Sequence, residues 1–184
     1  MAVRALAPAV LLLAASTGCA LAGHSPGPLL RGPGPSASAV PGDWATLTDA
    51  SFGFTLRYPP GWTEKFDQPA GFHALASRPD MSSLLDLAGG DYWLVAQAAP
   101  RDPSAGCGEP APAPPDTAST TLANLPARRY VVAGTRGDTT QHIIDVIAVR
   151  NGTCYTLQLV AGPAVPLDRA LGVLGEIQAS YRLR

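Results

Sequence analysis

The pair Asn151-Gly152, set between two apolar-rich runs, constrains this chain more than any other feature. A two-residue turn that follows the right-handed twist of its strands needs positive φ at both central positions, and Asn-Gly supplies that with least strain. Thr139 to Val160 therefore reads as a β-hairpin whose register follows by counting outward from the turn. Arg150 faces Thr153, Val149 faces Cys154, Ala148 faces Tyr155, Val146 faces Leu157 and Ile144 faces Leu159. Side chains alternate between faces along a strand. Ile144, Val146, Ala148, Tyr155, Leu157 and Leu159 thus share one face, the expected core. The other face carries Ile143, Asp145, Ile147, Val149, Cys154, Thr156 and Gln158. Asn151-Gly152-Thr153 also spells a glycosylation sequon, but the turn chemistry is the simpler account of these residues.

Other elements order themselves around that hairpin. Asp43–Thr48 predicts a first strand and Asp49-Ala50-Ser51 a turn. In Phe52–Tyr58, the residues Phe52, Phe54, Leu56 and Tyr58 recur at period two and turn one face inward. Pro59-Pro60-Gly61 stops that strand, because proline cannot donate to a ladder. Further strands are predicted over Thr63–Phe66, Phe72–Ser77, Tyr92–Ala98 and Ala127–Ala133, the last followed by a turn over Gly134–Asp138. A short helix capped by Asp80 is expected over Asp80–Leu87. Arg101–Ser119 reads as a long loop with five prolines. Near the end, Leu167, Ala170, Leu171, Leu174 and Ile177 repeat at helical spacing after Pro166, which suits a first turn. Ser180–Leu183 closes the chain as a last short element. The predicted class is α+β, an antiparallel sheet with helices packed on it, spanning residues 43–184.

What precedes that domain is of another kind. Met1–Arg4 is a short positively charged start, and Ala5–Ala15 is an apolar run of signal-peptide length, below the roughly 20 residues of a bilayer span. Two cleavage readings compete. In the first, Ser16-Thr17-Gly18-Cys19 is a lipobox: residues 1–18 are the signal peptide and the Cys19 thiol takes a diacylglyceryl group. Gly18 and Cys19 resemble bacterial lipoprotein signals, while Ser16 stands where leucine is usual. In the second, Ala20-Leu21-Ala22 is an ordinary cleavage site that releases a soluble chain from Gly23. Extra acyl chains matter because one chain anchors only marginally. Residues 19–42, rich in Pro, Gly and Ser, form a disordered tether. At roughly 5–6 Å times the square root of its length, it holds the domain a few tens of ångströms from the membrane.

That setting gives the other cysteines a meaning. With Cys19 acylated, Cys107 and Cys154 remain as an even pair in an oxidising compartment, where a disulfide would pin the Pro-rich loop to the hairpin. Two free thiols are the alternative. A formal net charge of -1, a single lysine (Lys65) and scattered arginines leave no electrostatic footprint for nucleic acid.

Taken together, several stretches resemble the PsbP-like fold family. They are Phe52–Trp62 (FGFTLRYPPGW), Leu125–Tyr130 (LPARRY), the hairpin at Asn151-Gly152, and the closing helix ending Ser180–Leu183. With anchor, linker and one domain, the chain looks most like actinobacterial lipoproteins of the LpqN and LpqT type. The resemblance implies an α+β architecture over roughly Trp44–Leu183 and a binding or assembly role, and it carries over no catalytic residues.

No GxSxG, HExxH, P-loop or paired-cysteine metal spacing occurs, and no cofactor is expected. His73 and His142 could meet with Asp145 or Asp138, but scattered surface histidines are the simpler reading. Binding rests on aromatics. Trp62, Phe72, Tyr92 and Trp93 lie beside Gly-rich turns, and the adjacent Tyr92 and Trp93 face opposite sides of a strand. One ring is expected in the core. The other either lines a shallow apolar site for a lipid, glycan or envelope protein, or is covered by the Cys107 loop. The expected protein is a non-catalytic binding or assembly module, lipid-anchored on the extracytoplasmic face of the cell membrane. A soluble secreted form is the runner-up. An envelope enzyme comes third, to be favoured by a histidine–carboxylate pair on the floor of a deep pocket.

Overall fold

The computed structural model describes residues 41–65, 69–136 and 139–184. The expected signal peptide, Cys19 and nearly all of the expected tether lie outside these residues, as do Phe66 and Asp138. Ten strands and one helix follow in order: β1 (Ala45–Asp49), β2 (Phe54–Tyr58), β3 (Thr63–Lys65), β4 (Phe72–Ala76), β5 (Tyr92–Pro100), β6 (Ala118–Leu122), β7 (Leu125–Arg136), β8 (Thr139–Arg150), β9 (Thr153–Ala161), α1 (Leu167–Ser180) and β10 (Arg182–Leu183). All pairings are antiparallel. The strands form a large sheet, β3-β4-β5-β9-β8-β7-β6, and a small one, β1-β2-β10.

The β8–β9 hairpin anchors the large sheet. Asn151 and Gly152 both hold positive φ, at 52° and 75°, and every pair counted from the turn is present. Its inner face, from Ile144 to Leu159, is buried, and it packs with Leu47, Phe54 and Leu56 of the small sheet and with Ala170, Leu174 and Ile177 of α1. Each such fully buried aliphatic side chain contributes about 1.5–3 kcal/mol relative to exposure. Asp168 in the first turn of α1 suits the positive end of the helix dipole. After the helix, Tyr181 is fully buried and stacks on Phe54 at 5.3 Å, while Leu183 pairs with Phe54 across β10–β2.

The outer face of the large sheet, not assigned to the core from the sequence, is covered in part. Ile147, Cys154 and Val160 are buried there. The segment between β4 and β5 folds over it, so that Met81 and Leu87 cover Trp93 and Val160 in a second core. The expected helix over Asp80–Leu87 is only one 3-10 turn, Leu84–Asp86. Its cap is Ser83, not Asp80. The Ser83 hydroxyl accepts from Leu85 N–H, and the Asp86 carboxylate accepts the Ser82 and Ser83 N–H groups. Asp80 is instead paired with Arg78. The strand expected over Ala127–Ala133 runs on to Arg136, and β6 lies partly where a loop was expected.

Candidate functional site

Asp49 ends β1 and is buried, which is costly for a carboxylate unless donors meet it. Three do. Oδ1 accepts from Phe52 N–H at 2.7 Å; Oδ2 accepts from Gly71 N–H at 2.9 Å and lies 2.9 Å from His73 Nε2. The other ring nitrogen of His73, on β4, lies 2.7 Å from Glu64 Oε1 on β3. Burial works against the charged Asp49, but the Phe52, His73 and Gly71 donors outweigh it and hold its carboxyl below the usual range. Burial likewise opposes a charged His73, and the bonds and charges of Glu64 and Asp49 prevail, raising its pKa. When protonated, His73 is clasped by two carboxylates and ties the small sheet to the large one.

This pair is not the one the sequence suggested. β4 and β8 are separated by β5 and β9, about 14 Å across the sheet at the usual strand spacing, and the ladder sets His73 level with Val146, four residues along β8 from His142, so the two histidines do not meet. Asp145 points from the outer face, where Gln158 Nε2 donates to it at 2.9 Å; burial raises its pKa against that bond. His73 borders a depression of about 410 Å³ whose rim residues Thr48, Ala50, Ser51 and Pro69 are exposed, so it is not the floor of a deep pocket. Each ring nitrogen of His73 faces a carboxylate oxygen, so the protonated ring donates to both. Its chemistry is that of a proton-dependent fastener.

A pH dependence follows. The folded pKa of His73 is raised, so its contribution is complete below the unfolded value near 6.5 and is lost as pH rises through the folded value. Asp49 has the opposite sense: its contribution is present above 3.8 and is lost as pH falls through its lowered folded value. Urea unfolding is expected to show a stability advantage of wild type over His73→Gln that shrinks by about 1 kcal/mol between about pH 5.5 and about pH 8.5. A pH-independent difference would contradict the clasp.

The four predicted aromatics do not line one surface. Tyr92, 7% exposed, faces the main core and stacks on half-buried Trp62 at 5.7 Å. Trp93, 8% exposed, faces the outer core, with Phe72 packed beside it. The cover over Trp93 is the Met81–Leu87 segment rather than the Cys107 loop. Alternation splits the neighbours Tyr92 and Trp93, and both faces of β5 are occupied, so neither ring is left exposed.

The Cys107 loop covers the outer face further along. Cys107 and Cys154 are joined by a disulfide, with Cα atoms 5.6 Å apart. The loop braces itself: Asp102 Oδ1 accepts the Ser104 and Ala105 N–H groups, and Glu109 Oε2 accepts Cys107 N–H at 2.7 Å. That Cys107 bond, with one from the Glu109 backbone, holds the Glu109 carboxyl below its usual range. Between Glu109 and the sheet lies a groove of about 400 Å³ whose floor includes Tyr130, Ile147 and Val149. Val149 is 38% exposed, one of few large apolar side chains so open among the described residues. The sequence placed Cys154 and Val149 on this face; it gave no sign that Tyr130 would join them.

No protein-family model matches the sequence, and no curated protein does. Solved structures do match. Cyanobacterial PsbP from Synechocystis superposes with a TM-score of 0.52 at 11% identity, over 77% of this chain and 92% of that one. The fold is PsbP-like. A protein of Bacteroides thetaiotaomicron gives a TM-score of 0.51 at 12% identity over 76% of this chain, which spans only 48% of that one. LpqN of Mycobacterium tuberculosis, described as involved in cell envelope biogenesis, gives 0.49 at 14% identity over 76% of this chain and 90% of LpqN. Among the described residues, no helix is long and apolar enough to cross a membrane.

Proposed function

We propose that this chain is a non-catalytic binding module, lipid-anchored through Cys19 on the extracytoplasmic face of a bacterial cell membrane. The observation that carries the reading is the disulfide between Cys107 and Cys154, which holds the Pro-rich loop over the sheet and walls the groove at Ile147 and Val149. Such a bond belongs to an oxidising compartment. The lipobox ending at Cys19 supplies the route there, and the tether supplies the reach. The groove is mainly apolar, with Ile147 and Val149 beside the charged Arg128 and Glu109, which suits an envelope lipid, glycan or protein. The PsbP-like fold supports this only by analogy, since fold does not entail function.

Fractionation of the host tests the anchor. Wild type is expected in the membrane fraction with its mature N-terminus at acylated Cys19, and Cys19→Ser is expected to move to the soluble fraction. A wild-type chain that begins at unmodified Gly23 would overturn the anchor and leave the soluble secreted form.

A further inference from the structure

A second groove, of about 320 Å³, opens on the inner side of the large sheet, where the C-terminal end of α1 meets β6 and β7. Its character is the reverse of the first. Thr120, Asn124, Arg129, Gln178 and Arg182 line it, and no acidic residue does. Neither arginine has a carboxylate partner among the described residues. Arg129 lies on the core-facing row of β7, opposite Val146, and its Nε is buried without a hydrogen-bond acceptor. A buried donor on a charged group is expensive to leave unmade, so this atom points to a missing acceptor.

The neighbours are arranged as donors. Arg182 Nη1 donates to the carbonyls of Ala179 and Tyr181, which fixes the side chain and leaves its remaining donors without an acceptor among the described residues. Gln178 Nε2 donates to Thr120 Oγ1 and to the Thr121 carbonyl, so the Thr120 hydroxyl proton is left to donate in turn. Ala123, on the same wall, holds φ at +50°, a conformation an alanine rarely adopts and one that surrounding structure must enforce.

We propose that this groove binds an oxyanion carried on a hydroxylated group, of the phosphosugar or phosphorylated headgroup class, with Arg129 and Arg182 as its charged contacts. Guanidinium forks match phosphate oxygens in pairs, and the hydroxyl and amide groups suit the polyol that bears them. The groove is larger than a bare phosphate needs. The inference goes beyond the anchored-module reading and does not rest on it, because a released chain would bind the same anion.

The test follows the Arg129 Nε–H resonance of the full chain by NMR while inorganic phosphate, glucose 6-phosphate or glucose is added. Vesicles containing phosphatidylglycerol are compared separately by sedimentation. Glucose 6-phosphate is expected to shift the resonance saturably and glucose to leave it unmoved. Arg182→Gln, at an exposed position, is expected to weaken the affinity about tenfold or more while the chain still unfolds cooperatively in urea. Arg129→Lys is expected to weaken it similarly. Binding to vesicles without binding to free glucose 6-phosphate assigns the anion to a lipid headgroup; the reverse assigns it to a soluble ligand. The proposal fails if neither anion source binds, if glucose binds equally well, or if Arg182→Gln binds like wild type. Fractionation reports the anchor independently of all these outcomes.

Discussion

Gly71→Ala is expected to lower the free energy of unfolding by about 2–5 kcal/mol, from about 1–2 for a left-handed backbone on an L-residue and about 1–3 for overpacking. Gly71 has φ of +81°, and a Cβ there would overlap the Ala98 carbonyl oxygen and lie 2.5 Å from the Phe52 ring. Neither can give way easily. Ala98 is paired within β5 to Tyr155 of β9, and Phe52 is set by the turn that Asp49 caps. The Gly71 N–H also donates to Asp49, and its carbonyl accepts from Ala98 N–H at 2.6 Å, so any shift strains the clasp on His73. Gly61 is the control, since its φ is +82° but nothing lies within 4 Å of its Cβ position. Gly61→Ala is expected to cost only about 1 kcal/mol. Urea midpoints at constant m compare the two, and equal losses would show that the close approach at Gly71 contributes nothing.

The contrast between the hairpin and the clasp shows what the sequence can disclose. A two-residue Asn-Gly turn leaves no freedom of register, so every pair from Arg150–Thr153 to Ile144–Leu159 could be counted. β6 escaped the same reasoning because its turn is Ala123-Asn124, where the first residue takes positive φ without being glycine or asparagine. Composition hid it as well, since Ala118–Leu122 begins at the tail of a Pro-rich loop. The burial of the outer face was legible only where the cysteine pair placed the loop over Cys154. Alternation identifies two faces but not what folds over them, and here Met81, Leu87 and the disulfide-held loop do so.

The charged clusters were the least legible. Asp49, Glu64 and His73 lie on β1, β3 and β4, and only the meeting of two sheets brings them together. Each alone reads as a surface residue. The same holds for Arg129 and Arg182, 53 positions apart by their numbers, which meet because α1 carries the chain back to β6 and β7. Local pattern fixes strands and turns; long-range pairing of polar side chains has no periodic signature.

Loss of the disulfide is expected to destabilise the domain by about 3–4 kcal/mol, because it closes a loop between residues 47 apart and opening it restores that conformational freedom to the unfolded chain. Cys107→Ser, Cys154→Ser and the double variant should therefore lose similar amounts, the bond being the common element. The effect in the folded state should be uneven. The inner face of the hairpin packs against α1 and the small sheet without help from the loop, so Ile144, Leu157 and Leu159 should keep slow amide exchange. Ile147 and Val149 lie under or beside the loop, and exchange near them should quicken, along with the amide of Cys107 that Glu109 holds. Hydrogen exchange on oxidised and reduced protein separates these regions. Uniform loss of protection across the hairpin would mean that the bond supports the whole sheet. No loss near Val149 would mean that the loop stays in place through its own turns, and the groove would then not depend on the oxidising compartment that the proposed function requires.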